Sequence, residues 1–269
     1  MQKSNLKYHP EAFKKTLDEL YVKYNRRSFV TPDPLQFLYD YADIRDREIV
    51  GLVAASLAYG RVAQILTSVS GILAMAGNSP YEFVMQSDRR RFRNCFQGFC
   101  HRFAKRDQLV ALFSGIRQVI DEFGSLQSCF NEGMAAVDDT VYPAMHFFVE
   151  RLVAGNNDPG HLVSLPWKKS ACKRLNLFLR WMARKDRVDP GGWERVSPAK
   201  LIIPLDTHIH KISLALGFTN RKQANLITAI EITEKFKQLN PPDPVKYDFV
   251  LSRFGIRHDM NIVDLIEEF

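Results

Sequence analysis

Only four cysteines occur in 269 residues, and none forms the short paired spacing of a metal-binding motif. Cys95, Cys100, Cys129 and Cys172 therefore read as reduced, mostly buried thiols rather than a disulfide framework. The run "CFQGFCH" brings Cys95, Cys100 and His101 together, but zinc or an iron–sulfur cluster needs a fourth ligand that the pattern does not supply. No metal is expected. Also missing is any apolar run of the roughly 18 residues that a membrane span requires. The opening "MQKSNLKYHPEAFKK" has no apolar centre of the signal-peptide kind. Both absences predict a cytoplasmic protein with no membrane partner. Convincing strand alternation is absent too, as are repeats and low-complexity tracts. "LIIPL" is short enough for a strand, but its proline favours an extended connector.

What is present is helical periodicity. Phe13, Leu17, Leu20 and Tyr24 recur at helix spacing. Leu52, Val53, Leu57 and Ala58 fit a helix apolar on all sides. Arg61 to Ala76 carries Val62, Ile65, Leu66, Val69, Ile72 and Leu73 on one face. In "NSPYEF", Ser79 caps a new helix and Pro80 takes its first position. Leu109, Leu112, Phe113, Ile116, Val119, Ile120 and Phe123 form a further stripe, closed by Gly124. Other helices are predicted over Ser125–Glu132, Pro143–Val153, Ser170–Arg184, Thr207–Leu216, Arg221–Lys237, Pro244–Arg253 and Met260–Glu268, with Asp243-Pro244 repeating the cap-then-proline signal. Two stretches rich in Gly, Pro, Asp and Asn, "VAGNNDPGHLVSLPWK" and "RKDRVDPGGWERVSPAKLIIP", read as loops. The fold class is all-α: two helical lobes with a cleft between them, and hydrophobic residues at 46% suffice for a sizeable core.

The net charge of +7 favours a polyanionic partner, since Lys and Arg displace counterions from a phosphate backbone. Against that background stands "IIPLDTHIHKI", residues 202–212, where a lone carboxylate separates an apolar run from a helix. Asp206 is well placed as a helix cap. A carboxylate fixed in this way can also stabilise the oxocarbenium-like charge of a breaking N-glycosidic bond. The companion would be a lysine able to form a Schiff base. Lys173 enters an apolar helix containing Leu175, Phe178, Leu179 and Met182, where desolvation would make an amine nucleophilic; Lys169 is the rival. His208 and His210 are two residues apart and cannot chelate one metal from a helix; His208 is expected to bond locally near Asp206.

These residues resemble the helix-hairpin-helix DNA glycosylase superfamily, the endonuclease III and 8-oxoguanine glycosylase group. There a hairpin with a catalytic lysine precedes a "-VDTH-" segment with the catalytic aspartate; here the segment is Pro204-Leu205-Asp206-Thr207-His208. "DREIVGLVAASLAYGRVAQILTSVSGILAMAGNSPYEFV" is similar to the family's first helices, and "DPVKYDFVLSRFGI" to a late one. The likeness runs from about residue 45 onward and is specific only around Asp206. It departs at the hairpin: "PWKKSACK" has no glycine where the family has Gly-x-Gly. Lys173 and Asp206 are 33 residues apart, lengthened by a Gly- and Pro-rich insertion at Asp186–Lys200, as in the archaeal 8-oxoguanine glycosylase branch. No cysteine cluster follows Asp206, so no cofactor is implied. "LAYGR" stands where the family often has a glutamine that fills the gap left by a flipped base.

The resemblance implies one unit with a helix-hairpin-helix element: a central lobe of about 45–160, and a second lobe of 1–44 plus 161–269 carrying the hairpin and Asp206. It implies Lys173 and Asp206 as catalytic, with Lys168, Lys169, Ser170 and Arg174 on DNA. Tyr59, Trp167 and Trp181 are base-pocket candidates, with Trp193 nearby, because a flipped base stacks on aromatic and apolar side chains. For Lys173 to meet Asp206, the insertion must loop out. The expected activity is release of an oxidised purine such as 8-oxoguanine from double-stranded DNA by a monomer, with or without strand-nicking lyase activity. Two other readings stand beside it: a nucleic-acid-binding protein that has lost or altered the chemistry, and a helical interaction protein in which Asp206 is only a cap.

Overall fold

The apolar spacing at Phe13, Leu17 and Leu20 becomes helix α1, Pro10–Tyr24, in the computed structural model, with all three side chains buried. The structure describes residues 10–155 and 157–269. Residues 1–9, which include most of the opening stretch read for a signal peptide, and Asn156, within one of the two predicted loops, lie outside the described residues. Helix α2, Ile44–Ser56, begins where Asp43 accepts a hydrogen bond from the Arg45 amide at 2.8 Å. Its buried residues run without a break from Glu48 to Ser56, so it is enclosed on all sides. Helix α3, Val62–Ala76, buries Ile65, Val69, Ile72 and Ala76. Helix α4, Pro80–Met85, is capped by Ser79 as its sequence predicts.

Helix α5, Arg89–Cys95, is absent from the expectations above. Its consecutive arginines mask a short amphipathic turn, with Asp88 as cap and Phe92 buried. Strands β1, Cys100–His101, and β2, Ala104–Lys105, form a small antiparallel hairpin. Helix α6, Arg106–Phe123, carries the long apolar stripe and ends at Gly124 in a left-handed conformation. Helices α7, Leu126–Glu132, and α8, Tyr142–Leu152, pack against α6, as do α4 and α5.

Helix α9, Lys173–Ala183, starts three residues later than predicted, because Cys172 sits in left-handed backbone at φ 45° and breaks the turn. It packs along α2. Helix α10, Thr207–Ala215, follows Asp206. Helix α11 runs Leu226–Leu239, capped by Asn225 rather than starting at Arg221. Helix α12, Asp248–Ile256, also starts late: the Asp243 carboxylate, read as its cap, accepts both contacts of Arg184 Nε at 3.1 and 3.0 Å. Helix α13, Ile262–Glu267, packs against α10 and α12. Residues 201–206 have no regular secondary structure, as the proline implies, and Leu201–Leu205 are buried. Among the described residues, no helix is long and apolar enough to cross a membrane.

The insertion does not loop out. It folds back along α9, where the Gly191 and Trp193 amides donate to the carbonyls of Trp181 and Met182 at 3.0 and 2.8 Å. Buried ion pairs fix it there. Arg184 bonds Asp186 and Asp189, and Arg180 bonds Asp189 and Asp248. Gly192, at φ +132°, passes so close to Ile44 that a Cβ would overlap the isoleucine side chain. The chain thus returns through residues 201–206 to deliver Asp206 beside the start of α9.

Candidate active site

Asp206 precedes α10 with extended backbone, and one carboxylate oxygen accepts from the amides of His208 and Ile209, both at 2.9 Å. These are first-turn amides that the helix itself cannot satisfy. The other oxygen, Oδ2, faces Lys173 Nζ at 4.0 Å. Lys173 is the first residue of α9, and its Nζ also lies 3.4 Å from the Ala58 carbonyl oxygen that it donates to. The side chains are 31% and 19% exposed, so the pair is sheltered but reachable. The two groups lie on the wall of a cleft of about 920 Å³, which Asp33, Tyr59, Arg61 and His208 also line.

Lys169 is elsewhere. It is exposed, in left-handed backbone at φ 55°, and outside the cleft lining. Its amide donates to Pro166 and its carbonyl accepts from Leu226. Lys168 and Ser170 line a second, smaller groove with His161. Ser170 Oγ also receives the Cys172 amide at 3.4 Å, which helps set the turn.

Arg174 shares the second groove with Lys168 and Ser170, but its guanidinium is turned inward. Its Nη1 donates to the carbonyls of Ser56 at 2.6 Å and Leu162 at 3.3 Å, and its guanidinium lies 4.9 Å from the Tyr59 ring centroid. Burial holds its pKa below the usual guanidinium range. It forms the partition between the two grooves and lines both.

Of the aromatic candidates, Tyr59 lines the cleft, its hydroxyl tied to the His101 carbonyl at 3.0 Å. Trp181 is fully buried in the core and is not a pocket residue. Trp167 is partly exposed but rests on His146 outside the cleft lining. Trp193 is fully buried and donates to Glu48 at 3.0 Å. The ring of His208 packs against Gly255, while its amide serves Asp206. His101 is buried, its ring nitrogens bonded to Ser68 and the Tyr59 carbonyl.

The sequence reading missed Asp33. "TPDPLQF" carries a cap-then-proline signal, and Asp33 does cap the 3-10 turn at Pro34–Asp40. Its other oxygen accepts from the buried Arg253 at 2.7 Å, which holds a second carboxylate on the cleft wall.

No curated protein and no solved structure matches the chain. One family model does, over residues 33–257, a span that contains the whole cleft lining apart from His258. The chain belongs to that family, described as Protein of unknown function (DUF2400).

Proposed function

We propose that this protein is a DNA base-excision glycosylase that uses Lys173 as nucleophile and Asp206 as electrostatic partner. The observation that carries the reading is the pair itself: an amine 4.0 Å from a carboxylate oxygen whose twin is fixed by two amides, on the wall of a cleft large enough for a nucleoside. Residues 166–183 serve as the helix-hairpin-helix element. Lys169 and Cys172 take its left-handed positions without glycine, and the lysine side chains at its tip supply the phosphate contacts. The cleft then divides two helical lobes.

In the reaction, Nζ gives up a proton to solvent and attacks C1′ of the flipped nucleotide as the bond from C1′ to the base breaks. The base leaves with the electron pair and is protonated. The alkylated amine passes a proton to O4′ as the C1′–O4′ bond breaks and the sugar ring opens, leaving a protonated imine between Nζ and C1′. The Asp206 carboxylate offsets positive charge as it builds on the sugar. An oxidised purine such as 8-oxoguanine is the substrate expected, and strand nicking can follow from the imine.

Borohydride trapping tests this. Incubation with duplexes carrying single lesions should yield a covalent protein–DNA adduct with one of them. Lys173→Gln should abolish the adduct and leave duplex binding within about twofold. An adduct that survives in Lys173→Gln and disappears in Lys169→Gln would move the chemistry to the hairpin tip. Salt-dependent binding with no adduct or base release on any lesion would leave a nucleic-acid-binding protein whose catalysis has been lost.

A further inference from the structure

Helix α12 is buried from Asp248 to Phe254 and reaches the cleft wall only at its end, with Gly255 and Ile256. Gly255 lies within the helix and not in left-handed backbone, so no turn requires a glycine there. Glycine also weakens a helix relative to alanine. Space is what it supplies. The ring of His208 occupies the place a side chain would take: a Cβ on Gly255 would overlap Nδ1 and Cγ of the ring and stand 2.7 Å from His208 Cβ. Turning the ring relieves the first two contacts. It does not relieve the third, because Cβ is fixed to the backbone of α10.

Other glycines admit close neighbours too. Gly115 meets the Leu152 carbonyl and Gly133 the Phe147 side chain, both away from the cleft lining. Gly255 differs in what its neighbour does. The His208 amide donates to Asp206 Oδ1 at 2.9 Å, and Asp206 Oδ2 faces Lys173 Nζ at 4.0 Å. Ordinary contact starts at 3.4 Å, so a side chain at 255 would drive the two helices apart by more than half an ångström. Helix α12 is anchored against such a shift by its burial and by the 2.7 Å bond from Arg253 to Asp33. Helix α10 exposes Thr207, Lys211 and Leu214, so it is the one that yields, and Asp206 moves with it.

We infer that Gly255 is a positioning residue: by seating His208 against α12, it sets the spacing between Asp206 and Lys173. Its effect on spacing stands on the packing alone, whereas its effect on chemistry rests on the proposed function. Misplacing a reacting group by about 1 Å costs about a hundredfold in rate.

Gly255→Ala, His208→Gly and the double variant test this. The double variant moves the missing side chain from one helix to the other, and glycine at 208 keeps the amide that bonds Asp206. A crystal structure of Gly255→Ala should show Asp206 Oδ2 displaced relative to Lys173 by more than half an ångström. Single-turnover adduct formation under borohydride should fall about a hundredfold while affinity for the lesion duplex stays within about twofold. A loss of folded protein would lower both. On the His208→Gly background, adding Gly255→Ala should slow adduct formation less than about twofold, because the space is already open. That comparison carries the test if Gly255→Ala alone does not fold. Equal loss on both backgrounds overturns the proposal, as does an undisplaced Asp206 in folded Gly255→Ala. A wild-type chain that traps no adduct on any lesion overturns the glycosylase reading, and the crystallographic displacement then decides the positioning by itself.

Discussion

Asp206 makes two contacts that substitution can separate. One oxygen closes the first turn of α10 and the other faces Lys173. Asn is itself a good cap, so Asp206→Asn should cost no more than about 1 kcal/mol of stability, measured by urea unfolding. On the proposed function it should also slow single-turnover base release about a hundredfold or more, because the charge proposed to stabilise the transition state is gone. A variant that unfolds readily and still releases base at the wild-type rate would make Asp206 only a cap. The aspartate was legible in the sequence because a cap signal is local: an apolar run, one carboxylate, then helical spacing. Lys173 was legible only as one of two lysines, and choosing between them needs the left-handed turn at Cys172. The role of Arg174 was not legible. Its hydrogen-bond partners, the carbonyls of Ser56 and Leu162, leave no trace in side-chain pattern.

At the scale of elements, Glu48 shows what periodicity cannot reveal. It sits in α2, 2% exposed, and accepts from the Leu126 and Gln127 amides at the start of α7 and from Trp193 in the insertion. Three separate segments meet on one carboxylate. Burial pushes its pKa from 4.5 up to about 7, although these three donors pull the other way. The sign of the pH effect follows. Between those values the unfolded chain has lost the proton that the folded chain keeps, so raising the pH through this window destabilises the fold. The full shift corresponds to about 3 kcal/mol. Glu48→Gln cannot titrate. Its stability relative to wild type should therefore improve by about that amount between pH 4 and pH 8, in urea unfolding at each pH. A constant difference across the range would mean Glu48 does not take up a proton there. Sequence placed most helices correctly because their apolar faces repeat. It misplaced the start of α12 because Asp243 is engaged by Arg184, a partner 59 residues away.

For the molecule as a whole, net charge is the broadest feature the sequence offers, and it does not say where the cations work. Arg180, Arg184 and Arg253 are spent inside the fold on buried aspartates or on Asp33 at the cleft wall. Arg174 is spent on backbone carbonyls. Arg180 with Asp248 and Arg253 with Asp33 are far apart in sequence and pair only once the chain is folded, so the composition alone overstates the cations available to a ligand. Lys168 and Lys169 are different, since both are exposed on the turn before α9. If each meets one phosphate, replacing both by glutamine should make the slope of log K against log salt shallower by about 1.8. Affinity should fall for every duplex alike, because phosphate contacts carry no sequence or lesion information. The ratio of lesion-bearing to undamaged binding should therefore stay constant, and the melting temperature should be unchanged because neither side chain is in the core. Anisotropy titrations at several salt concentrations, on duplexes with and without a lesion, measure slope and ratio together. An unchanged slope would place the phosphates elsewhere. A lost lesion preference at unchanged affinity would mean that these lysines reach the base rather than the backbone.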